Sequence, residues 1–158
     1  MMEIKREKIE KLIGTYRQYL TGRSRPEIKT VRTKKGGEIK YSRIENSQGW
    51  YAIVCFYDDL QRVDVYDQHV FQRYQERYLG KRQVINIVDE FLKRNGSGVL
   101  FLEKYGKFSK RIHDGACFGT ITPDEKIIYH KTFVKEDQLD PEGQYIMLTE
   151  EIKSYVND

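Results

Sequence analysis

The chain has 158 residues, with 28 Lys and Arg against 24 Asp and Glu for a formal net charge of +4. At 39% hydrophobic, 33% charged and 13% aromatic it has the composition of a folded domain with a real core, and neither a disordered nor a histone-like chain. Two cysteines without paired spacing exclude a disulfide framework, and no apolar run approaches a membrane span, so with its charged start the chain reads as cytoplasmic.

Residues 3 to 20 carry Ile9, Leu12, Ile13, Tyr16 and Leu20 at helical spacing and predict a helix, broken by Gly22 to Pro26. The basic stretch 28 to 44 predicts a hairpin turning at Lys34-Lys35-Gly36-Gly37. A second turn near Asn46-Ser47-Gln48-Gly49 leads into Trp50 to Tyr57, which is apolar on both faces and should be covered on both sides. Asp58-Asp59 turns the chain into a strand over Arg62 to Tyr66. Asp67 is the expected N-cap of a helix that Gly80 interrupts. A further helix follows with Val84, Ile87, Val88 and Phe91 on one face and Asn95-Gly96 as its stop.

Beyond Gly98 the pattern turns strand-like. Strands are expected over Val99 to Glu103, Phe108 to His113, Ala116 to Ile121 and Lys126 to Val134, with turns at Tyr105-Gly106 and Pro123-Asp124. A last helix, Met147 to Val156, is expected after Gly143. No internal sequence repeat occurs. The expectation is an α+β chain with helices on an antiparallel meander, organised as one domain: an N-terminal helix and hairpin extension (1–60), a core (61–134) and a C-terminal helical segment (135–158).

The segment from Asp67 to Leu79 holds the most distinctive pattern. Residues four apart lie above one another on a helix, so His69, Arg73 and Arg77 form a polar stripe. Val70, Phe71, Tyr74 and Tyr78 supply the neighbouring packing face. At a helix N-terminus the dipole keeps an imidazole neutral and able to take a proton, while guanidinium forks suit phosphate. A base beside two such cations could cleave RNA without metal by 2′-OH attack. The bland alternative is an exposed polar face with Glu76 paired to an arginine.

Near the end of the last expected strand stand Tyr129, His130, Lys131 and Thr132. His130 and Lys131 point to opposite faces of a strand, so one of them completes a site with Thr132 or Tyr129, and alternation does not choose between them. Arg32, Lys34 and Lys35 on the basic hairpin are candidate contacts to a nucleic-acid backbone, or simply a solvated turn. His113-Asp114-Gly115 reads as a tight turn, and no metal-ligand spacing or nucleotide-binding loop is present, so neither a metal nor another cofactor is expected.

The order His69-x-x-x-Arg73-x-x-x-Arg77, opening a helix and followed by another helix and a meander, resembles an uncharacterised bacterial family with a His-x3-Arg-x3-Arg signature. That family looks like part of the group of small ribonuclease toxins that includes barnase and RelE-like domains. The resemblance covers roughly residues 60 to 134. It implies metal-free RNA cleavage, with His69, Arg73 and Arg77 on the helix and Lys131 and Thr132 from the last strand. The chain departs from the pattern in its residues 1–60 and in lacking a Glu-Arg-His order along its strands.

The expected function is therefore a small metal-independent ribonuclease or toxin-like nuclease, with RNA and a cognate inhibitor protein as the candidate partners. The alternatives are a non-catalytic module binding nucleic acid or a phosphate ligand, and a protein-interaction or inhibitor protein of a mobile genetic element.

Overall fold

The computed structural model describes residues 6–20, 28–57, 62–103 and 106–138, with the side chains of 18–20 left aside. The expected break at Gly22 to Pro26, the Asp58-Asp59 turn, Tyr105 and the helix over Met147 to Val156 lie outside the described residues.

Helix α1 (Arg6–Leu20) precedes four strands: β1 (Lys29–Arg32), β2 (Glu38–Asn46), β3 (Gly49–Phe56) and β4 (Val63–Asp67). Helix α2 (Gln68–Tyr74) runs into a π-helical turn (Gln75–Leu79), and α3 (Ile87–Asn95) follows. Strands β5 (Val99–Leu102), β6 (Lys107–Ile112), β7 (Gly115–Ile121) and β8 (Ile127–Lys135) come next, ending in a 3-10 turn (Glu136–Gln138). The eight strands among the described residues belong to one sheet, in the order β1-β2-β3-β4-β8-β7-β6-β5.

The chain is thus α+β, but the sheet is mixed and not wholly antiparallel. Each set of four strands is an antiparallel meander. Their final strands, β4 and β8, pair in parallel, Val63 beside Ile127 and Tyr66 beside His130. Local patterning specifies hairpins, whereas this pairing joins strands far apart in the chain and leaves no turn signal. The run of helix then four-strand meander occurs twice, with the helices on opposite faces. Residues 29–56 accordingly share one sheet with the strands of the second half.

Strand β3 shows why the sheet is covered on both sides. Its Ile53 and Cys55 join Tyr41, Tyr66, Phe71, Tyr74, Phe91 and Phe133 in the core beneath α2 and α3. Its Ala52, Val54 and Phe56 join Ile9, Tyr16, Val63, Val65 and Ile127 beneath α1. Tyr16 stacks on Phe56 with ring centroids 4.5 Å apart, which ties α1 to the sheet.

Local capping fixes the helices over the other face. Asp67 accepts the His69 N–H at 2.8 Å and starts α2 straight from β4. Gly80, with φ of 61°, ends the π-turn as a residue with a side chain would not readily do. Asn86 accepts the N–H groups of Val88 and Asp89 at 3.0 and 3.1 Å. This cap starts α3 at Ile87, so Val84 precedes the helix instead of opening it. Among the described residues no helix is long and apolar enough to cross a membrane.

Candidate functional site

The polar stripe on α2 is largely tied to itself and to β8. The Arg73 Nε–H donates to His69 Nε2 at 3.1 Å, so the second ring nitrogen, Nδ1, carries the proton of the neutral imidazole. Arg73 also pairs with Glu76 at 2.6 Å. The Arg77 guanidinium turns away within the π-turn and donates to the Phe133 carbonyl at 2.7 Å. His69 is buried, and burial, followed by the charges of Arg73 and Arg77, lowers its pKa to about 4. The imidazole is therefore neutral at pH 7 with its Nε2 lone pair engaged.

The end of β8 departs from the simple alternation assumed for it. His130 pairs with Gly119 and Thr132 with Phe118, so Lys131 is the extra residue of a β-bulge. Lys131 is half-buried, and its charge reaches Asp67 at the start of α2. Thr132 is fully buried, and among the described residues its hydroxyl has no hydrogen-bond partner. His130, also fully buried, stacks on Tyr66 with centroids 4.1 Å apart and meets the Phe108 ring edge-on at 5.0 Å. Of the six residues expected to share one site, His69 and Arg73 are bonded to each other on the stripe, whereas His130 makes a different set of contacts. Arg32, Lys34 and Lys35 stand exposed at the β1–β2 hairpin, where the Lys34 N–H donates to the Lys93 carbonyl at 3.0 Å.

His130 belongs to a buried polar cluster that the sequence did not single out. Its Nε2 lies 3.1 Å from Asp64 Oδ1. The Tyr57 hydroxyl donates to Asp64 Oδ2, and Lys110 Nζ stands 3.8 Å from the same oxygen. Lys110 also donates to the Tyr66 hydroxyl at 3.2 Å. The parallel pairing of β4 with β8 puts Asp64 beside Ile128, and β6 brings Lys110 in from beyond β7.

Electrostatics assign the charge states. Burial alone would raise the Asp64 pKa, but the Lys110 ammonium and the His130 and Tyr57 hydrogen bonds overrule it and hold the carboxyl well below its usual range. Burial lowers His130 to about 4 against the opposing pull of Asp64. His130 is therefore neutral, with the Nε2 proton shared toward Asp64, and its Nδ1 is a buried acceptor without a partner among the described residues. Burial, then the Asp64 charge and hydrogen bond, keep Tyr57 protonated.

This cluster floors a cleft of about 180 Å³ lined by Tyr57, Arg62, Asp64, Lys110, Ile128 and Leu100 and by the Gly96-Ser97-Gly98 loop. The loop lies flat on the sheet because it lacks side chains where they would collide. A Cβ on Gly98 would sit 2.1 Å from the Arg111 carbonyl oxygen, and one on Gly96 would sit 2.0 Å from Ile39 Cδ1. None of the stripe residues lines this cleft.

Lys110 is the notable group there. Its side chain is only 8% exposed, yet among the described residues its one hydrogen bond goes to Tyr66, and Asp64 lies beyond hydrogen-bond reach. An ammonium offers three donors, which leaves donors available to a ligand. Arg62 adds an exposed cation at the rim. With Asp64 ionised and His130 neutral, the side chains here sum to a net positive charge.

A separate polar centre is fully used in structure. Asp114 accepts from Arg94 at 2.7 and 2.8 Å, from Tyr74 at 2.8 Å and from Asn95 at 3.0 Å, with His113 Nδ1 2.9 Å away. It locks the β6–β7 turn to α2 and α3. Cys55 and Cys117 are buried, and burial pushes the Cys117 thiol up to about 12. Among the described residues no cluster of His, Cys, Asp and Glu is gathered to hold a metal ion.

The sequence carried one faint mark of the cleft: Asp64 sits between Val63 and Val65 in an otherwise apolar strand. Lys110 carried none, since Ser109, Lys110 and Arg111 read as an ordinary polar stretch. Comparison with protein-family models, with curated proteins and with solved structures finds no match to this chain.

Proposed function

We propose that the protein is a binding module for a small anionic ligand, whose carboxylate or phosphate group sits in the cleft between Lys110 and Arg62. The observation that carries this reading is the buried Lys110 ammonium with donors to spare at the wall of a cleft. A buried ammonium is a strongly hydrated point charge, and a cavity that leaves its donors incompletely used is matched by an anion. Asp64 is bonded to Tyr57 and His130 and opposes the charge of Lys110, so it sets the charge balance and, being anionic itself, does not receive an anion.

The test is calorimetric titration of the purified protein with inorganic phosphate and, separately, with succinate, beside the R62A and K110M variants. Binding in the parent chain that weakens at least tenfold in R62A, whose side chain is exposed and whose loss leaves the core intact, supports the proposal. Absence of binding by both anions, or equal binding by R62A, overturns it.

A metal-independent ribonuclease centred on His69 is a second proposal. What favours it is a neutral imidazole within 3.1 Å of a guanidinium on one helix face. RNA phosphate would have to draw Arg73 away from His69 before Nε2 could accept a 2′-hydroxyl proton. End-labelled RNA incubated in EDTA with the protein and with H69A decides this: cleavage to a 2′,3′-cyclic phosphate that H69A abolishes supports it, and intact RNA, or equal cleavage by H69A, overturns it.

A further inference from the structure

The sheet's two edges are built differently. Strand β1 forms one edge and exposes Lys29, Thr30 and Arg32, the charged guarding usual for an open strand. Strand β5 forms the other, and its four residues Val99-Leu100-Phe101-Leu102 carry no charge. Val99, Phe101 and Leu102 are 58%, 51% and 54% exposed. Among the described residues, this uncharged, apolar edge offers both unpaired backbone groups and side chains on two faces.

We propose that β5 pairs antiparallel with β5 of a second copy of this chain, forming a two-fold dimer in which the two sheets become continuous. This rests on a different observation from the anion-binding reading and stands or falls separately. The second copy is the fitting occupant because the edge is self-complementary. Pairing it with itself brings no charge into the contact, whereas pairing with β1 would desolvate Lys29 and Arg32 beside Val99 and Phe101. An isologous contact also closes at two copies, while a β5-to-β1 contact would propagate.

The backbone narrows the register, and the pairing proposed is the one that uses both outward-facing residues of the strand. The Glu103 N–H points inward to the Lys107 carbonyl at 2.8 Å. Directions alternate along a strand, so Phe101 also points inward and Leu100 and Leu102 present their N–H and C=O groups to the free edge. A two-fold axis normal to the sheet requires one residue to face its own copy. Centring it on Phe101 places each Leu100 opposite Leu102 of the second copy, and each such pair exchanges both N–H···O bonds. The two Phe101 residues then form the close, non-hydrogen-bonded pair at the axis.

Light scattering coupled to gel filtration, run from low to high protein concentration, tests this on the full chain. The parent chain should move from monomer to dimer with concentration. F101K, a change at a half-exposed position whose folding is checked by circular dichroism, should remain monomeric throughout. F101C oxidised with copper phenanthroline should give a disulfide-linked dimer, because the non-bonded pair brings its Cα atoms to about 4.5 Å, within disulfide reach. L100C should not. A parent chain that stays monomeric, a dimer that survives F101K, oligomers that grow beyond two, or cross-linking of L100C in preference to F101C each overturn the proposal.

Discussion

His130 Nε2 and Asp64 Oδ1 lie 3.1 Å apart, on side chains that are 0% and 4% exposed, across the parallel seam between β8 and β4. The pair couples the seam to pH. His130 is depressed to about 4 in the fold from an ordinary 6.5, so between those values the unfolded chain binds more protons than the folded one. His69, lowered to about 4, acts in the same sense. Stability therefore falls as pH drops from 7 toward 4, and further below 4 as Asp64, whose pKa is depressed in the fold, is forced to protonate. Urea midpoints measured at pH 7.0 and 4.5 should differ, with a smaller difference in H130Q; equal midpoints in the parent chain would refute this.

Asp64 and Lys110 should show strong coupling. Asp64→Asn leaves a buried ammonium without its counter-charge and should cost about 3–5 kcal/mol. Lys110→Met does the reverse to the carboxylate. Removing both charges restores neutrality, so the double variant should lose clearly less than the sum of the two single losses. A double-mutant cycle from urea unfolding measures this, and additive losses would contradict the pairing.

Arg73→Ala should raise the pKa of His69. Burial is the largest cause of its depression, but the Arg73 charge comes next and the guanidinium also occupies Nε2. Histidine titration by NMR reads the change directly. An unmoved His69 would show that the stripe is not coupled as its geometry implies.

Phe91 is the packing hub beneath the helices. It makes edge contacts with Tyr66, Phe71 and Tyr74 at centroid distances of 5.6, 5.4 and 5.0 Å. Phe91→Ala should cost about 3–5 kcal/mol in chemical denaturation. A loss under 1 kcal/mol, on the order of a surface change, would mean that the helical layer is not packed on the sheet in this way.

Gly98→Ala should disturb the cleft and the adjoining edge together, because its Cβ would meet the Arg111 carbonyl oxygen at 2.1 Å. The backbone must lift, which displaces β5 and the loop over Lys110. Loss of both phosphate binding and dimer formation in G98A, with the rest of the fold retained by circular dichroism, is the expected outcome.

What was legible in the chain was local. Asp67 as a cap, Gly80 as a stop and the two-sided apolar face of β3 each depend on near neighbours, and each is where the pattern put it. The positions of His130 and Lys131 were not legible, because a bulge opposite Phe118 and Gly119 resets alternation without a mark in the sequence. The cleft was hidden for a related reason. Asp64, Lys110 and His130 come from three strands that meet only through the β4–β8 pairing, and no periodicity encodes which strands become neighbours.

That same pairing has a consequence for biosynthesis. The β1 to β4 hairpins emerge from the ribosome first, yet β4, every residue of it buried in the finished sheet, has no neighbour on its second side until residues 127–135 are made. Throughout that interval the nascent chain carries an open strand edge, the form of surface on which chains aggregate and chaperones act. Slow translation of the second half should lengthen that exposure, and contacts of such wide sequence separation should make closure of the seam the late step of folding.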